Sequence, residues 1–468
     1  MTASPGARLS NLKWLRLVAM IAVLALFAAA CADSGDDAGD DAVTDEDTDA
    51  EVVDEPADDA EPTDAEPADD EATDDAEPTD DAEGTGGDGD ALRMAYVLPE
   101  TGQLAFLGPP IISGFQLAVE EINEAGGVNG VPVEQDGGDE GDGDGTIANQ
   151  TVDRLLAADV DIIMGAAASG ISLTIIDKIT GAGVVQCSPS NTSPTFTNYD
   201  DGGLYFRAAP TDALQGPVLA EQIVAAGGTN VAVLARADDY GQGLLDATDA
   251  SLQEAGATVA IATTYDPMAQ SFDAEVQQVV DSGADAVALI SFDEGARILQ
   301  TMIERGVGPA DIVVFGADGI ASENTPGLVD PNDPAILAGM RTTSPTPASD
   351  EDFNAALSEF SPDLDDTLFA AEGYDCAIAA ALAAHAGGEN TSQAIADNLV
   401  AVTGGGTKCT SYAECLELLD AGEDIDYDGP SGPMDFTDAG EPSQGTYALS
   451  EFQEDGTLEQ IDTITSTL

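Results

Sequence analysis

Basic residues are scarce in this chain. Of its 468 residues only 12 are Lys or Arg, against 90 Asp or Glu, and the formal net charge is -78. Because binding to phosphate groups requires a basic surface, this balance excludes nucleic acid as a partner and disfavours anionic lipids and anionic substrates. Cations and zwitterions remain compatible with so acidic a chain.

Histidine is also nearly absent, which limits the chemistry available for catalysis. The single histidine, His385, ends a predicted helix in the segment AAHAGG, where a histidine more often contacts helix carbonyls than reacts. No Ser/His/Asp or Cys/His set can be assembled, and the many acidic pairs single out no general acid and base. We therefore expect no enzymatic activity.

Signatures of cofactors and metals are missing as well. No GxGxxG follows the first predicted strand, so a dinucleotide cofactor is unsupported and we expect no cofactor. The stretch DGGDEGDGDG resembles a calcium loop only superficially, because Thr151 stands where the bidentate Glu would be needed. We expect no bound metal.

The N-terminal apolar run is too short to span a bilayer comfortably. Leu17 to Ala30 is a run of 14 residues that follows a basic segment, which is typical of a signal peptide over residues 1–31. The run ends in AAAC, which resembles the lipobox of bacterial lipoproteins, with Ala28 at the usual leucine position and Cys31 as the acylated residue. Simple secretion, with Cys31 left in the discarded peptide, is the alternative. We expect an extracytoplasmic protein on the cell surface, lipid-anchored to the bacterial membrane.

Residues 32–90 lack the means to form a core. They contain 28 Asp or Glu and no Lys, Arg or aromatic residue. Near-repeats such as DDAEPTD, with Pro at intervals, predict an extended acidic tether that is disordered because its charges repel one another.

From Leu92 onward, strand-like and helix-like segments alternate, which predicts an α/β fold with parallel sheets. The stretch VDIIMGAAASGISLTIIDKITGAGVVQCSPSNTSPTFT reads as strand, turn, helix, strand and turn. Ser169 stands just before the helix start, where free N–H groups and the helix dipole favour a carboxylate. Neighbouring parallel strands deliver both turns to one sheet edge, so Ser190 and Thr192 should face Ser169.

Five motifs, in order, carry a family resemblance: AVEEINEAGGVNG, MGAAAS, SPSNTSPTFT, DDYGQG and FGADG. With them the chain resembles a type I periplasmic binding protein of the branched-chain amino-acid (Leu/Ile/Val) group, the substrate-capturing subunit of ABC importers. The resemblance implies two similar lobes, each a Rossmann-like sandwich around a parallel sheet, joined by a three-strand hinge near 207–210, 341–344 and 430–433. It assigns residues 91–208 and 343–430 to the first lobe. Residues 209–342 and 431–468 form the second, and ligand is enclosed by hinge closure.

Physical chemistry and the resemblance give the same roles to several residues. A free amino acid is zwitterionic, so Ser169 and Thr192 are expected to donate to its carboxylate and Asp318 to pair with its ammonium. The family usually has Glu at the position of Asp318. Carbonyl oxygens near Ser190 are expected to share the ammonium. The hydroxyls of SPSNTSP have an alternative role as simple turn formers.

Aromatic residues are predicted to line the rest of the site. Tyr240 is expected to form a wall against an aliphatic side chain, with a half-buried edge position as the alternative. Phe292 and Phe106 are further candidates for the lining of the site. Leu107 stands where the family often has a tyrosine, which leaves the identity of the bound amino acid open.

Cysteines fit an exported protein. Cys409 and Cys415, in KCTSYAEC, are expected to close a small surface loop as a disulfide. Cys187 and Cys376 lie in apolar surroundings and are expected to be core thiols, with pairing as the alternative.

The predicted function is a solute-binding lipoprotein, expected to be a monomer, that captures a small zwitterionic amino acid and delivers it to the transmembrane permease of an ABC importer. Two alternatives stay open: a sensory module that reports the ligand to a receptor, and a binder of an amide or urea-like solute.

Overall fold

The computed structural model describes residues 90–345, 351–364 and 366–468. The predicted signal peptide, the lipidation residue Cys31 and all but the last residue of the predicted tether lie outside the described residues. Within the described ranges, no helix combines the length and the apolar character needed to cross a membrane.

The first lobe is built on a parallel sheet. Its strands are β1 (Arg93–Leu98), β2 (Glu134–Asp139), β3 (Ile162–Gly165), β4 (Val185–Ser188) and β5 (Tyr205–Arg207). They are ordered β2-β1-β3-β4-β5, and every neighbouring pair is parallel. The helices between them are α1 (Gly108–Glu124), α2 (Thr146–Leu156) and α3 (Ser169–Gly181). β3 and β4 are buried along their whole length, as strands covered by helices on both faces should be.

The second lobe repeats this pattern. Its strands are β6 (Asn230–Arg236), β7 (Thr258–Tyr265), β8 (Ala286–Ile290), β9 (Val313–Gly316) and β10 (Arg341–Pro345). Its helices are α4 (Asp212–Ala225), α5 (Asp239–Glu254), α6 (Asp273–Ser282), α7 (Gly295–Glu304) and α8 (Thr325–Val329). α4 packs against α5, which places the segment after β5 in this lobe.

After β10 the chain returns to the first lobe. This part contains α9 (Glu351–Phe360), α10 (Ala370–Gly387), α11 (Ser392–Val402), β11 (Thr407–Cys409), α12 (Tyr412–Asp420), β12 (Ile425–Gly429) and β13 (Gly432–Pro433). α10 packs along α1, and the three short strands form a small sheet of their own. Nearly all of α10 is buried, which explains why its sequence is apolar on every face.

The last two strands complete the second sheet. They are β14 (Gln444–Phe452) and β15 (Leu458–Thr467). The full order is β15-β14-β10-β9-β8-β6-β7, with β14 antiparallel to both β10 and β15. The chain therefore passes between the lobes after β5, after β10 and after β13. The α/β fold with two lobes is confirmed, whereas the residue at which each lobe begins and ends stays a prediction.

Two disulfides lie in the first lobe. Cys409 pairs with Cys415 of α12, as predicted, and the short segment between them is exposed at Thr410, Ala413 and Glu414, although both cysteines are themselves buried. Cys187 of β4 is bonded to Cys376 of α10, so the expectation of two core thiols was wrong. The two residues are 189 positions apart, and only the packing of α10 against the sheet brings them together.

Candidate functional site

The first polar turn of the site follows β3, where the chain enters α3. Gly165 ends β3 with φ 110°, and a Cβ there would lie 2.0 Å from the carbonyl oxygen of Val97, so only glycine fits. Ser169 is buried and is the first residue of α3. The free N–H groups of this helix terminus face the same turn.

The second polar turn follows β4 and is bound to the first by side-chain hydrogen bonds. Ser190 Oγ donates to the carbonyl of Ala167 over 3.2 Å. Asn191 Nδ2 donates to the carbonyls of Ala166 and Ala167 over 3.0 and 2.8 Å. The two turns thus form one polar surface at the carboxyl edge of the sheet. Because the Ser190 hydroxyl donates to Ala167 and the Ser190 N–H donates to Ser188 Oγ over 3.3 Å, neither donor of Ser190 is left for a ligand carboxylate.

Arg207, the last residue of β5, fixes the second turn. Its guanidinium donates to the carbonyl oxygens of Asn191 and Ser193 over 3.1 and 2.8 Å, on either side of Thr192. It also forms an ion pair with Glu441, and both charged side chains are almost fully buried. Glu441 lies between β13 and β14, so this pair ties the ligand-facing turn to a segment that crosses between the lobes.

Thr192 connects this surface to the second lobe. Its Oγ1 donates to Oδ2 of Asp212 over 3.1 Å, and its carbonyl accepts the Asp212 N–H over 2.7 Å. Asp212 is the first residue of α4. Ser169 lies beside Thr192, because its Oγ accepts the N–H of Ser193 over 3.4 Å.

Asp318 belongs to the second lobe, where it follows β9 and is buried. Its Oδ1 accepts hydrogen bonds from Gln215 Nε2 at 2.9 Å and from Tyr240 Oη at 3.1 Å. Burial raises the pKa of Asp318 to about 6, although both hydrogen bonds favour the ionised form. None of the ion pairs among the described residues includes this carboxylate.

Asp212 gives the site a second buried carboxyl group. Burial raises the pKa of Asp212 well above its usual range, and repulsion from Asp318 raises it further. Oδ1 of Asp212 and Oε1 of Gln215 are both buried and find no hydrogen-bond partner within the described part of the chain. The cluster of Asp212, Gln215 and Asp318 therefore contains two unused acceptor oxygens and two carboxyl groups that repel each other. A cationic group that only donates hydrogen bonds would supply donors to the unused oxygens and would offset the repulsion between the carboxyl groups.

A third buried carboxyl group, Glu140, lies beside the first turn. It accepts hydrogen bonds from the N–H groups of Ala167 and Ala168, and burial raises the pKa of this carboxyl to about 8. Because Glu140 uses these two donors, a ligand carboxylate would rely on the donors of Ser169 and of the second turn.

A cavity of about 510 Å³ opens between the lobes next to these groups. Ala168 and Gly170, the neighbours of Ser169, line it from the first lobe, and Phe292 lines it from the second. The ring of Phe292 stacks on Tyr240 with centroids 5.3 Å apart, and the Arg236 guanidinium lies 3.4 Å above the Phe292 ring. The structure thus brings Tyr240 and Phe292 together as one aromatic wall.

Of the predicted site residues, Phe292 alone lines this cavity. The others that the two turns and the second lobe contribute are buried and are not among its lining residues: Ser169, Ser190, Thr192, Tyr240 and Asp318. Phe106 and Leu107 take other positions. Leu107 is buried in the core just before α1, and Phe106 is half-buried against the same core cluster. Neither lines the cavity; Gln103 and Leu104 of the same loop do so.

The sequence reading missed Asp212, Gln215, Glu140 and Arg236. Asp212 follows Thr211, whose side chain caps α4, and an acidic residue in the first turn of a helix is ordinary there. The only sequence signal for a functional role of Asp212 was its position directly after a segment that passes between the lobes. Glu140 directly follows β2, at the start of an acidic loop in which no sequence pattern separates a buried carboxyl group from exposed ones.

The comparisons with known proteins agree with this architecture. The family model for periplasmic binding proteins matches residues 91–457. The chain belongs to this family. Membership implies an extracytoplasmic location, and the family consists of substrate-binding proteins and not of enzymes.

Two proteins similar to this periplasmic binding protein are named for branched-chain amino acids. The Leu/Ile/Val-binding protein homolog 1 of Brucella suis biovar 1 (strain 1330) is 27% identical over 308 residues, which are 64% of this chain and 79% of that protein. One similar crystal structure is that of the branched-chain amino acid transporter substrate binding protein LivJ from Streptococcus pneumoniae, in complex with isoleucine. It aligns with a TM-score of 0.66 at 22% identity, and the alignment covers 80% of this chain and 100% of the LivJ chain.

A solute binding protein of an ABC transporter from R. palustris, in complex with 4-hydroxybenzoate, aligns with a TM-score of 0.67 at 18% identity and covers 81% of this chain and 98% of its own. At these identities the structural matches establish the fold alone.

Proposed function

We propose that this periplasmic binding protein holds a small α-amino acid between its lobes and delivers it to the permease of an ABC importer. The observation that carries the proposal is the cluster of Asp212, Gln215 and Asp318, which has two unused acceptor oxygens and, within the described part of the chain, no ion pair. An α-ammonium group supplies three N–H donors and one positive charge to such a site.

The other half of the zwitterion fits the first lobe. A carboxylate near Ser169 would meet the N-terminus of α3 and the Ser169 hydroxyl. Thr192 lies between the two halves, since its hydroxyl contacts Asp212 while the N–H of the next residue, Ser193, contacts Ser169. The proposal therefore puts the carboxylate on the Ser169 side of Thr192 and the ammonium on the Asp212 side. The side chain would then face the cavity and the wall of Tyr240 and Phe292.

Delivery and anchoring rest on the sequence. The AAAC motif supports lipidation at Cys31, and the acidic segment 32–90 supports a tether long enough to hold the lobes away from the bilayer.

Deletion of the gene should abolish cellular uptake of the ligand if the role is transport. If the role is sensing, uptake should persist and only the response to the ligand should be lost.

A ligand screen tests the binding proposal. The full chain is combined in thermal-shift and calorimetric assays with α-amino acids, with the same acids lacking the amino group, with 4-hydroxybenzoate, and with acetamide and urea. A ligand that binds only the folded state raises its melting temperature, so we expect stabilisation by at least one α-amino acid and by none of its deaminated analogues. Stabilisation by amides or by 4-hydroxybenzoate alone would overturn the proposal.

A further inference from the structure

A second buried polar site lies in the hinge, away from the cleft. A cavity of about 30 Å³ is lined by segments from all three passages between the lobes: Ala208 and Pro210 from the first, Pro345 from the second, and Pro433 and Pro442 from the third. Glu372, near the start of α10, contributes the carboxyl group of the lining, and its other polar side chains are those of Ser431, Gln444 and Thr446. The cavity can hold a single water-sized species.

Glu372 is a buried carboxyl group without compensation. Its side chain is 3% exposed, and its Oε2 finds no hydrogen-bond partner in the described part of the chain. No ion pair among the described residues includes it. Burial raises the pKa of Glu372 to about 8, and repulsion from Asp375, one turn further along α10, adds to this. A buried charge is normally paired or coordinated, so this carboxyl group calls for a cation or a proton.

The surrounding groups favour a cation. The four prolines that line the cavity have no N–H group to donate to Glu372. The Ser431 hydroxyl is already used, because it and the Ser431 N–H donate to Asp375. Ser431, Gln444 and Thr446 each carry a side-chain oxygen that can contact a cation. The lining therefore offers several oxygens around one negative charge.

We propose that this hinge cavity binds one monovalent cation of the size of sodium, held by the Glu372 carboxylate and by other oxygens of the lining. A divalent cation fits less well, because a single carboxylate offsets only one of its two charges. Consistent with this, no cluster of three or more His, Cys, Asp or Glu suited to a metal occurs among the described residues.

The position gives the cation a role in lobe movement. Since all three crossing segments line the cavity, any rotation of one lobe against the other changes its shape. Cation binding and ligand binding are then coupled, and each strengthens the other if both prefer the same lobe arrangement.

The test compares cations at equal ionic strength, because so acidic a protein responds to any salt. The melting temperature of the ligand-free full chain is measured in sodium chloride and in choline chloride at about pH 9, above the pKa of Glu372. We expect sodium to raise the melting temperature by about 2 °C more than choline does. Glu372→Gln should lose this difference. Glu389→Gln, which removes the same charge at an exposed position close to the C-terminal end of α10, should keep it.

Equal melting temperatures in sodium and choline would overturn the proposal and would leave a water or a proton at Glu372. Retention of the sodium effect in Glu372→Gln would overturn it as well, because the cation would then bind elsewhere. Crystals soaked in thallium(I) give a direct check: an anomalous peak beside Glu372 supports the site, and its absence contradicts it. None of these measurements involves the amino acid, so they stand apart from the proposed function.

Discussion

At the scale of single residues, the site depends on charges that lack a partner in the ligand-free protein. Asp318 and Asp212 are buried close together, and neither is paired with a cation among the described residues. In a soluble protein such an arrangement is unfavourable unless a ligand completes it. If the site binds an ammonium group as proposed, the cost of burying these carboxyl groups is what the ligand would offset.

Replacing Asp318 by Asn removes the charge and keeps the size of the side chain. We expect the affinity for the amino acid with the largest thermal shift to fall by about 30-fold or more, because loss of one partner of a buried charge pair costs about 2–5 kcal/mol. Calorimetry measures the change. Asp311→Asn removes the same charge from an exposed position of the same lobe and should leave the affinity unchanged. Undiminished binding by Asp318→Asn would place the ammonium elsewhere.

The affinity should also depend on pH. Burial raises the pKa of Asp318 to about 6, and an ammonium binds only the ionised form. Below about pH 6 the ligand must displace a proton, so we expect the affinity to fall by up to about tenfold per pH unit as the pH decreases and to level off above that value. Titration calorimetry from acid to neutral pH checks this. The Asp318→Asn variant, having no carboxyl group at this position, should show a flatter profile.

These residues differ in how far the sequence reveals them. Ser169, Thr192 and Asp318 each follow a buried strand, and parallel strands bring their carboxyl ends to one edge, so their positions could be predicted from the order of strands. Asp212 could not be predicted in the same way, because at the start of α4 a ligand-facing carboxyl and a helix-capping one have the same sequence pattern. Burial, which only the packed lobes create, separates the two.

At the scale of elements, α10 decides how the first lobe holds together. It packs against α1 and α11 and against β3 and β4 of the sheet, and its Cys376 is bonded to Cys187 of β4. The sequence predicted its helical character but not this bond, because residues 189 positions apart give no local sign of contact. The predicted loop around Cys409 likewise contains α12, whose nine residues are too short to show a clear helical period.

The two disulfides should contribute differently to stability. A bond that closes a longer loop restricts the unfolded chain more, so we expect Cys187→Ala with Cys376→Ala to lower the free energy of unfolding by up to about 5 kcal/mol. The same change at Cys409 and Cys415, which are 6 positions apart, should cost about 2 kcal/mol. Urea unfolding under non-reducing conditions measures both values. Equal losses would mean that native-state strain or packing, and not loop closure, sets the contribution.

At the scale of the whole molecule, buried carboxyl groups link stability to pH. Burial raises the pKa of Glu140 and of Glu372 to about 8 and that of Asp318 to about 6. A carboxyl group with a raised pKa holds its proton more tightly when folded. Its contribution to stability is therefore complete below about pH 4, the pKa of the group in the unfolded chain. The contribution is lost as the pH rises through the pKa of the group in the folded protein.

We therefore expect the ligand-free protein to lose stability steadily between about pH 5 and pH 8.5, by up to about 1.4 kcal/mol per pH unit for each group that stays protonated only in the folded state. Urea unfolding in about 1 M choline chloride, which screens repulsion among surface charges, measures the buried contribution. A stability that stays constant or rises over this interval would show that these groups are ionised in the folded state. A bound amino acid should recover part of the loss, because it compensates the carboxyl groups of the cleft.

The bond between Cys187 and Cys376 closes a covalent ring that contains most of the second lobe. A protease that cuts once at an exposed loop inside this ring, for example at Met268, opens the backbone without freeing either fragment. Outside the cell, where proteases meet the protein and reductants are scarce, a nicked molecule would stay in one piece and keep both walls of its cleft. Only reduction would then let the halves diffuse apart.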